Sequence, residues 1–113
     1  MKTLTVKKPW GHEDQFTHNE ISTVKILSVN KGGELSLQYH NNRTEFWCIL
    51  FGFPLVTIGE KKIKAKPGDE FRVEKKELHQ IEALDGEVQF LEIAFGDFDE
   101  NDIVRVKDKY GRA

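Results

Sequence analysis

A chain of 113 residues with 17 Lys+Arg against 19 Asp+Glu, and a formal net charge of -2, offers no electrostatic case for a nucleic-acid-binding face. Hydrophobic residues at 38% and aromatics at 11% exclude intrinsic disorder, and no apolar run approaches the ~20 residues of a membrane span. One domain over residues 1–113 is expected, large enough to bury roughly two-thirds of its unfolded surface without staples. The single Cys48 excludes an internal disulfide. With an N-terminus that turns polar before an apolar signal core can form, it points to a cytoplasmic protein.

In chain order, the stretch up to Glu20 is polar and predicts no strand; His12 and His18 belong at its surface and Trp10 in the core. Short β-rich or alternating segments then follow one another, predicting strands at Ser22–Val29, Glu34–His40, Glu45–Phe51, Leu55–Ile58, Lys61–Ala65, Glu70–Val73, Leu78–Ala83, Val88–Phe95 and Ile103–Val106. Turn chemistry separates them: Lys31-Gly32-Gly33, Gly52, Gly59-Glu60, Pro67-Gly68-Asp69, Asp85-Gly86 and Gly96-Asp97. No segment carries a 3.6-residue apolar stripe over ten or more residues. The fold class is all-β, an antiparallel sandwich or barrel.

Alternation assigns side chains to faces. Gln38 and His40 point one way, opposite Leu35, Leu37 and Tyr39. On the following strand, Glu45 shares a face with Trp47, Ile49 and Phe51, while Phe46, Cys48 and Leu50 form a second apolar face. Polar groups on an inward face need hydrogen bonds or something to coordinate. Gln38-x-His40 places two donors about 7 Å apart along one face, Glu45 opens the next strand after a four-residue turn, and His79 opens a later strand. Two imidazoles, a carboxylate and an amide oxygen make a mixed donor set for one divalent metal ion. Zinc is the first expectation, with manganese, iron, cobalt or nickel as alternatives.

The run Gly32-x5-Gln38-x-His40-x4-Glu45-x6-Gly52 resembles the first motif of the cupin superfamily, with Gln in place of its first histidine. Gly68-x10-His79 has the length of the second motif, although Glu74, Lys76 and Ala83 stand where that motif has its usual Pro, Gly and Asn. Within the superfamily the chain resembles the cupin domain of type II mannose-6-phosphate isomerases. The resemblance rests on Pro9-Trp10-Gly11, Leu35-Ser36-Leu37-Gln38-Tyr39-His40, Arg43-Thr44-Glu45-Phe46-Trp47, Leu55-Val56-Thr57-Ile58-Gly59, Asp102-Ile103-Val104-Arg105 and Asp108-x-Tyr110-Gly111-Arg112. It implies a cupin-type double-stranded β-helix, a jelly-roll barrel, with one metal held by Gln38, His40, Glu45 and His79, and a homodimer. The family often has histidines at Asn41 and Asn42, and one at Phe46. Many members are fused to a guanylyltransferase, for which 113 residues leave no room, so nucleotide transfer is not expected of this chain.

The implied activity is aldose–ketose isomerisation of a sugar phosphate, mannose 6-phosphate to fructose 6-phosphate through an enediol. Arg43, at an exposed turn between two ligands, is the expected catalytic and substrate-binding residue, acting on substrate rather than on the fold. Arg105 offers a second phosphate contact and Lys25 a weaker one, while Trp47 is a core filler that also offers a wall of the pocket. An alternative is a non-catalytic sugar-binding or regulatory cupin that lost a proton-transfer group at Phe46; a cupin oxygenase ranks lower because Gln38 makes the site poor in nitrogen. The two apolar faces of Glu45–Phe51 call for a second layer, argued to be a two-fold partner. The other partner is the sugar phosphate, with no nucleic acid and no membrane.

Overall fold

The computed structural model describes residues 4–113. It opens with a hairpin that the sequence pattern hid: β1 (Leu4–Lys8) and β2 (Gly11–Gln15) pair antiparallel around Pro9-Trp10. The second strand, GHEDQ, has no apolar alternation. Its ladder with β1 and a hydrogen bond from Thr5 Oγ1 to Asp14 Oδ1 (2.7 Å) hold it in place of burial. Trp10 sits at the hairpin turn and is 73% exposed, not in the core as expected.

All nine expected strands form. β3 (Ser22–Val29), β5 (Glu45–Phe51), β6 (Leu55–Ile58), β8 (Glu70–Val73) and β10 (Val88–Phe95) keep the bounds read from the sequence. β7 (Lys61–Lys64) and β9 (His79–Glu82) are trimmed at their ends, and β11 (Val104–Lys107) is displaced by one residue. β4 shrinks to Leu37–Tyr39, because Glu34 and Leu35 meet the backbone of Glu82 and Ile81 only through single bridges.

The strands make two sheets, β3-β10-β5-β8 and β11-β4-β9-β6-β7, with every neighbouring pair antiparallel. The order of β3 to β10 in the two facing sheets is that of a jelly roll. Gly52 shows how tightly the loops approach: with φ +86° its Cα lies so near the Glu87 carbonyl that a Cβ would come within 2.3 Å of that oxygen. No helix among the described residues is long and apolar enough to cross a membrane.

Inside the sandwich, four strands change character in the same direction. Along β5 the inward residues run Glu45, Trp47, Ile49; along β10 they run Ala94, Glu92, Phe90, Val88. β3 contributes Lys25, then Leu27 and Val29, and β9 contributes His79, then Ile81, with Ala83 just beyond it. Register aligns these gradients, with Glu92 opposite both Lys25 and Trp47, Phe90 opposite Leu27 and Ile49, and Ala94 opposite Glu45. One end of the interior is therefore a hydrocarbon core built on Ile49, Val56, Val73, Ile81, Val88 and Phe90. The other end is polar, with Trp47 between them.

On the outer face of the four-stranded sheet the pattern is apolar. Phe16 packs on Phe46 with ring centroids 5.3 Å apart, so the N-terminal segment supplies part of the second layer. Val24, Ile26 and Leu50 remain exposed on this face, Ile26 at 62%.

Candidate metal centre

The polar end of the interior collects His40, Glu45 and His79, all buried, with potential ligand atoms within 4.8 Å of one another. Sheet pairing brings His79 in, since it lies directly opposite Gln38. Glu45 arrives as the first residue of β5, after the turn that follows His40.

Both rings are pinned from behind. His40 Nδ1–H donates to the carbonyl of Asp102 (2.6 Å) and His79 Nδ1–H to that of Glu77 (2.8 Å). A carbonyl can only accept, so each ring holds its proton on Nδ1 and turns the bare Nε2 inward. The two Nε2 atoms lie 3.1 Å apart, and His40 Nε2 lies 3.4 Å from Glu45 Oε2. Two lone pairs facing each other at that distance beside a carboxylate suit a positive charge between them. Ligands held about 2 Å from one ion are themselves about 3–4 Å apart, so this donor set fits a divalent cation. Burial depresses the pKa of both histidines, outweighing Glu45 and the carbonyl bonds that raise it, and keeps them neutral as ligands must be.

Gln38 reaches the cluster with its amide turned the other way. Ser36 Oγ donates to Oε1 (2.5 Å), and it is Nε2 that lies 3.5 Å from His79 Nε2. To serve as a ligand through oxygen, the amide must rotate and give its NH2 to Ser36, an exchange that isosteric amides allow.

Arg43 departs from expectation. It is only 8% exposed and is no free turn arginine. Nε–H donates to Glu45 Oε2 (2.9 Å), Nη1–H to the Asp99 carbonyl (3.2 Å), Nη2 lies 3.3 Å from His40 Nε2, and the guanidinium lies 4.7 Å from the Phe98 ring centroid. A guanidinium this close to water-excluded partners belongs to the fold as well as to the site. Trp47 fills the core as expected: it is 0% exposed, with its ring edge-on to His79 at 5.4 Å and Nε1–H donating to Glu45 Oε1 (3.1 Å). It braces the cluster from the core side and does not wall the cavity.

The cavity itself, about 580 Å³, opens beside Arg43 and is lined by Lys25, Arg43, Phe98, Glu100, Asn101, Ile103 and Arg105. Three cations face one acid there. Arg105 lies opposite Gln38 in the ladder, its Nε buried without a partner among the described residues, and Lys25 Nζ lies 4.0 Å above the Phe98 ring. The structure thus brings Arg43, Arg105 and Lys25 to one space next to the histidines.

Three contributors escaped the sequence reading. Asp102 anchors the site turn: its carbonyl holds His40, and its carboxylate accepts the backbone N–H groups of Asn41 (2.8 Å) and Asn42 (3.0 Å). Partial burial raises its carboxyl, but those two bonds win and hold it below the usual range. Phe98 supplies the ring beneath two cations. Glu92 stands inward on β10 between Leu91 and Ile93 in the strand, and the parity rule applied to Glu45 could have found it. Phe46, conversely, faces outward onto Phe16, so a histidine there would not reach the cluster.

Comparison with known proteins agrees in scope. The family described as mannose-6-phosphate isomerase C-terminal matches residues 1–108. A mannose-1-phosphate guanylyltransferase of Klebsiella pneumoniae is 33% identical over 110 residues, covering 95% of this chain and 23% of that protein. The xanthan biosynthesis protein XanB of Xanthomonas campestris is 32% identical over 109 residues, with the same 95% and 23% coverage. The chain thus spans about a quarter of the length of these relatives. A crystal structure of a cupin protein from Bacteroides fragilis superposes with TM-score 0.61 at 27% identity, covering 69% of this chain and 70% of that one. The two facing sheets are the cupin jelly roll.

Proposed function

Because the chain belongs to the mannose-6-phosphate isomerase C-terminal family of cupin domains, we propose that it is a metal-dependent aldose–ketose isomerase of sugar phosphates, with mannose 6-phosphate and fructose 6-phosphate as the first pair to test. The observation that carries this reading is the adjacency of a His-Glu-His cluster and a cavity lined by Lys25, Arg43 and Arg105. A phosphate dianion needs cations in a water-poor setting, and a fork of guanidinium N–H groups matches its oxygens. The reacting carbons need a Lewis acid within a sugar's length of that phosphate.

His40, Glu45 and His79 would hold the ion, zinc before manganese, iron, cobalt or nickel, with Gln38 as fourth ligand once its amide turns. A divalent ion so bound polarises the substrate carbonyl and eases the charge that develops on the enediolate oxygens. The protein's own groups do the rest. Arg105, with an unpartnered Nε, and Lys25 receive the phosphate. Arg43 spans the two regions, one edge on Glu45 and the other on the cavity. Trp47 closes the core side to water.

The non-catalytic reading drew on Phe46, which lies on the outer face, away from this chemistry. We also assign the exposed apolar face of β3-β10-β5 to a homodimer, and the cytoplasm to the protein on its lone thiol. A coupled assay of mannose 6-phosphate to fructose 6-phosphate tests the function. Turnover that disappears with chelator and returns with divalent metal is expected; a metal-loaded protein that binds the sugar without turnover would mean a binding module.

A further inference from the structure

Isomerisation needs a group that lifts a hydrogen from one carbon and returns it to the next, and none of the cluster residues is free to do so. His40 and His79 direct their Nε2 atoms at the ion site, and Glu45 already accepts from Arg43 and Trp47. Glu92 is different. It is 7% exposed, yet its carboxylate accepts no hydrogen bond among the described residues and forms no ion pair within them. Lys25, directly opposite on β3, could have paired with it but instead places Nζ over Phe98. A carboxyl so far removed from solvent, with no side-chain partner among the described residues, calls for a reason.

Register places it well. Glu92 faces Trp47 across the β10–β5 ladder, and Glu45 is the diagonal neighbour on the same inward face. Diagonal neighbours on a sheet have side chains about 7–8 Å apart, which sets the Glu92 carboxyl beside the residues that would hold the ion. On its other side stands Lys25, which lines the cationic cavity.

Resting on the isomerase reading above, we propose that Glu92 is the proton-carrying catalytic residue, moving hydrogen between C1 and C2 of the sugar phosphate. The carboxylate takes the C2 proton of the aldose. The C–H electron pair becomes the C1–C2 double bond, and the carbonyl pair moves onto O1, giving the cis-enediolate. Glu92 then returns the proton to C1 while the O2 hydroxyl proton passes to O1 and the C2 carbonyl forms. Nothing is oxidised or reduced overall, and no co-reactant is consumed. In the metal-free protein burial, with Glu45 adding to it against Arg43 and Lys25, pushes the Glu92 carboxyl up to about 7.

The test compares wild type, Glu92→Gln and Glu92→Asp, each metal-loaded, by metal content, by KM and kcat, and by proton NMR in D2O. Wild type is expected to interconvert the two sugar phosphates with deuterium entering from solvent. Glu92→Gln, of the same shape, should keep its metal and its KM within about threefold yet lose at least about a hundredfold in kcat and in deuterium entry. Glu92→Asp should recover part of both. Glu92→Gln turning over within tenfold of wild type, or losing its metal or its fold, would overturn the role of Glu92 and leave the isomerase reading standing. A metal-loaded wild type that neither interconverts nor exchanges would overturn both.

Discussion

The two ends of the sandwich interior are built by the same strands in the same register, and they do opposite work. At one end Ile49, Phe90, Leu27 and Ile81 face one another and ask only for density. Two residues along β3, β9 and β10 and four along β5, Lys25, His79, Glu92 and Glu45 gather at the other end and ask for charge balance. The difference teaches that strand parity alone sorts residues into inside and outside, whereas function is set by position along the strand. Trp47, between the two ends, belongs to both: its indole packs on Phe90 at 5.4 Å and its N–H bonds Glu45.

The widest gap between the ends should appear on truncation. Phe90→Ala, in the apolar end, is expected to cost about 3–5 kcal/mol of stability, as for other buried aromatics, while a metal-loaded sample keeps its ion stoichiometry. Chemical denaturation and metal analysis on one preparation would show this, and an unchanged midpoint would erase the distinction.

Arg43→Ala comes next. As half of a buried pair with Glu45, its loss should cost the metal-free protein about 3 kcal/mol, against the roughly 0.5 kcal/mol of an exposed turn residue. It should also weaken sugar-phosphate affinity by about tenfold or more. Thermal melts with chelator, paired with titration calorimetry, would separate the two effects; a melt unchanged by the substitution would return Arg43 to the loop surface.

Near neutrality, acid should act at the polar end. Burial holds His40 and His79 below the ordinary imidazole value of 6.5, so the unfolded chain takes up protons first as pH falls. The histidine contribution to the stability of the metal-free protein is then complete above about pH 6.5 and declines as pH drops below it, while Glu92, pushed up to about 7 by burial, takes a proton in the folded state and works against that decline. His79→Gln should flatten that decline. An equally steep profile in the variant would place the titration elsewhere.

The smallest effect concerns the outer face. Ile26→Lys changes an exposed residue and should leave the melt within about 0.5 kcal/mol. It should nonetheless shift the protein from dimer to monomer in sedimentation. A wild type already monomeric at micromolar concentration would show that the hairpin and Phe16 suffice as cover.

What was legible in the sequence followed from period two and turn chemistry. Strands such as Val88–Phe95 could be bounded because one face must be apolar, and Gly52 could be read as punctuation because no Cβ fits against Glu87. The hairpin β1–β2 was not legible, since its polar residues are held by a ladder to each other and carry no burial pattern. In the site, spacing brought out His40, Glu45 and His79, but not the depth of Arg43. Burial depends on what the other sheet lays across a residue. Asp102 was hidden for a further reason: its main contribution is a backbone carbonyl, which any residue has.

The most direct measurement of the metal centre is anomalous diffraction from crystals of the protein loaded with zinc or manganese. The expected result is one anomalous peak per chain, bounded by His40 Nε2, His79 Nε2 and a Glu45 oxygen, with the Gln38 amide rotated to bring its oxygen inward and the peak absent in His79→Ala crystals. A peak elsewhere, or an undiminished peak after His79→Ala, would contradict a cation held by these residues.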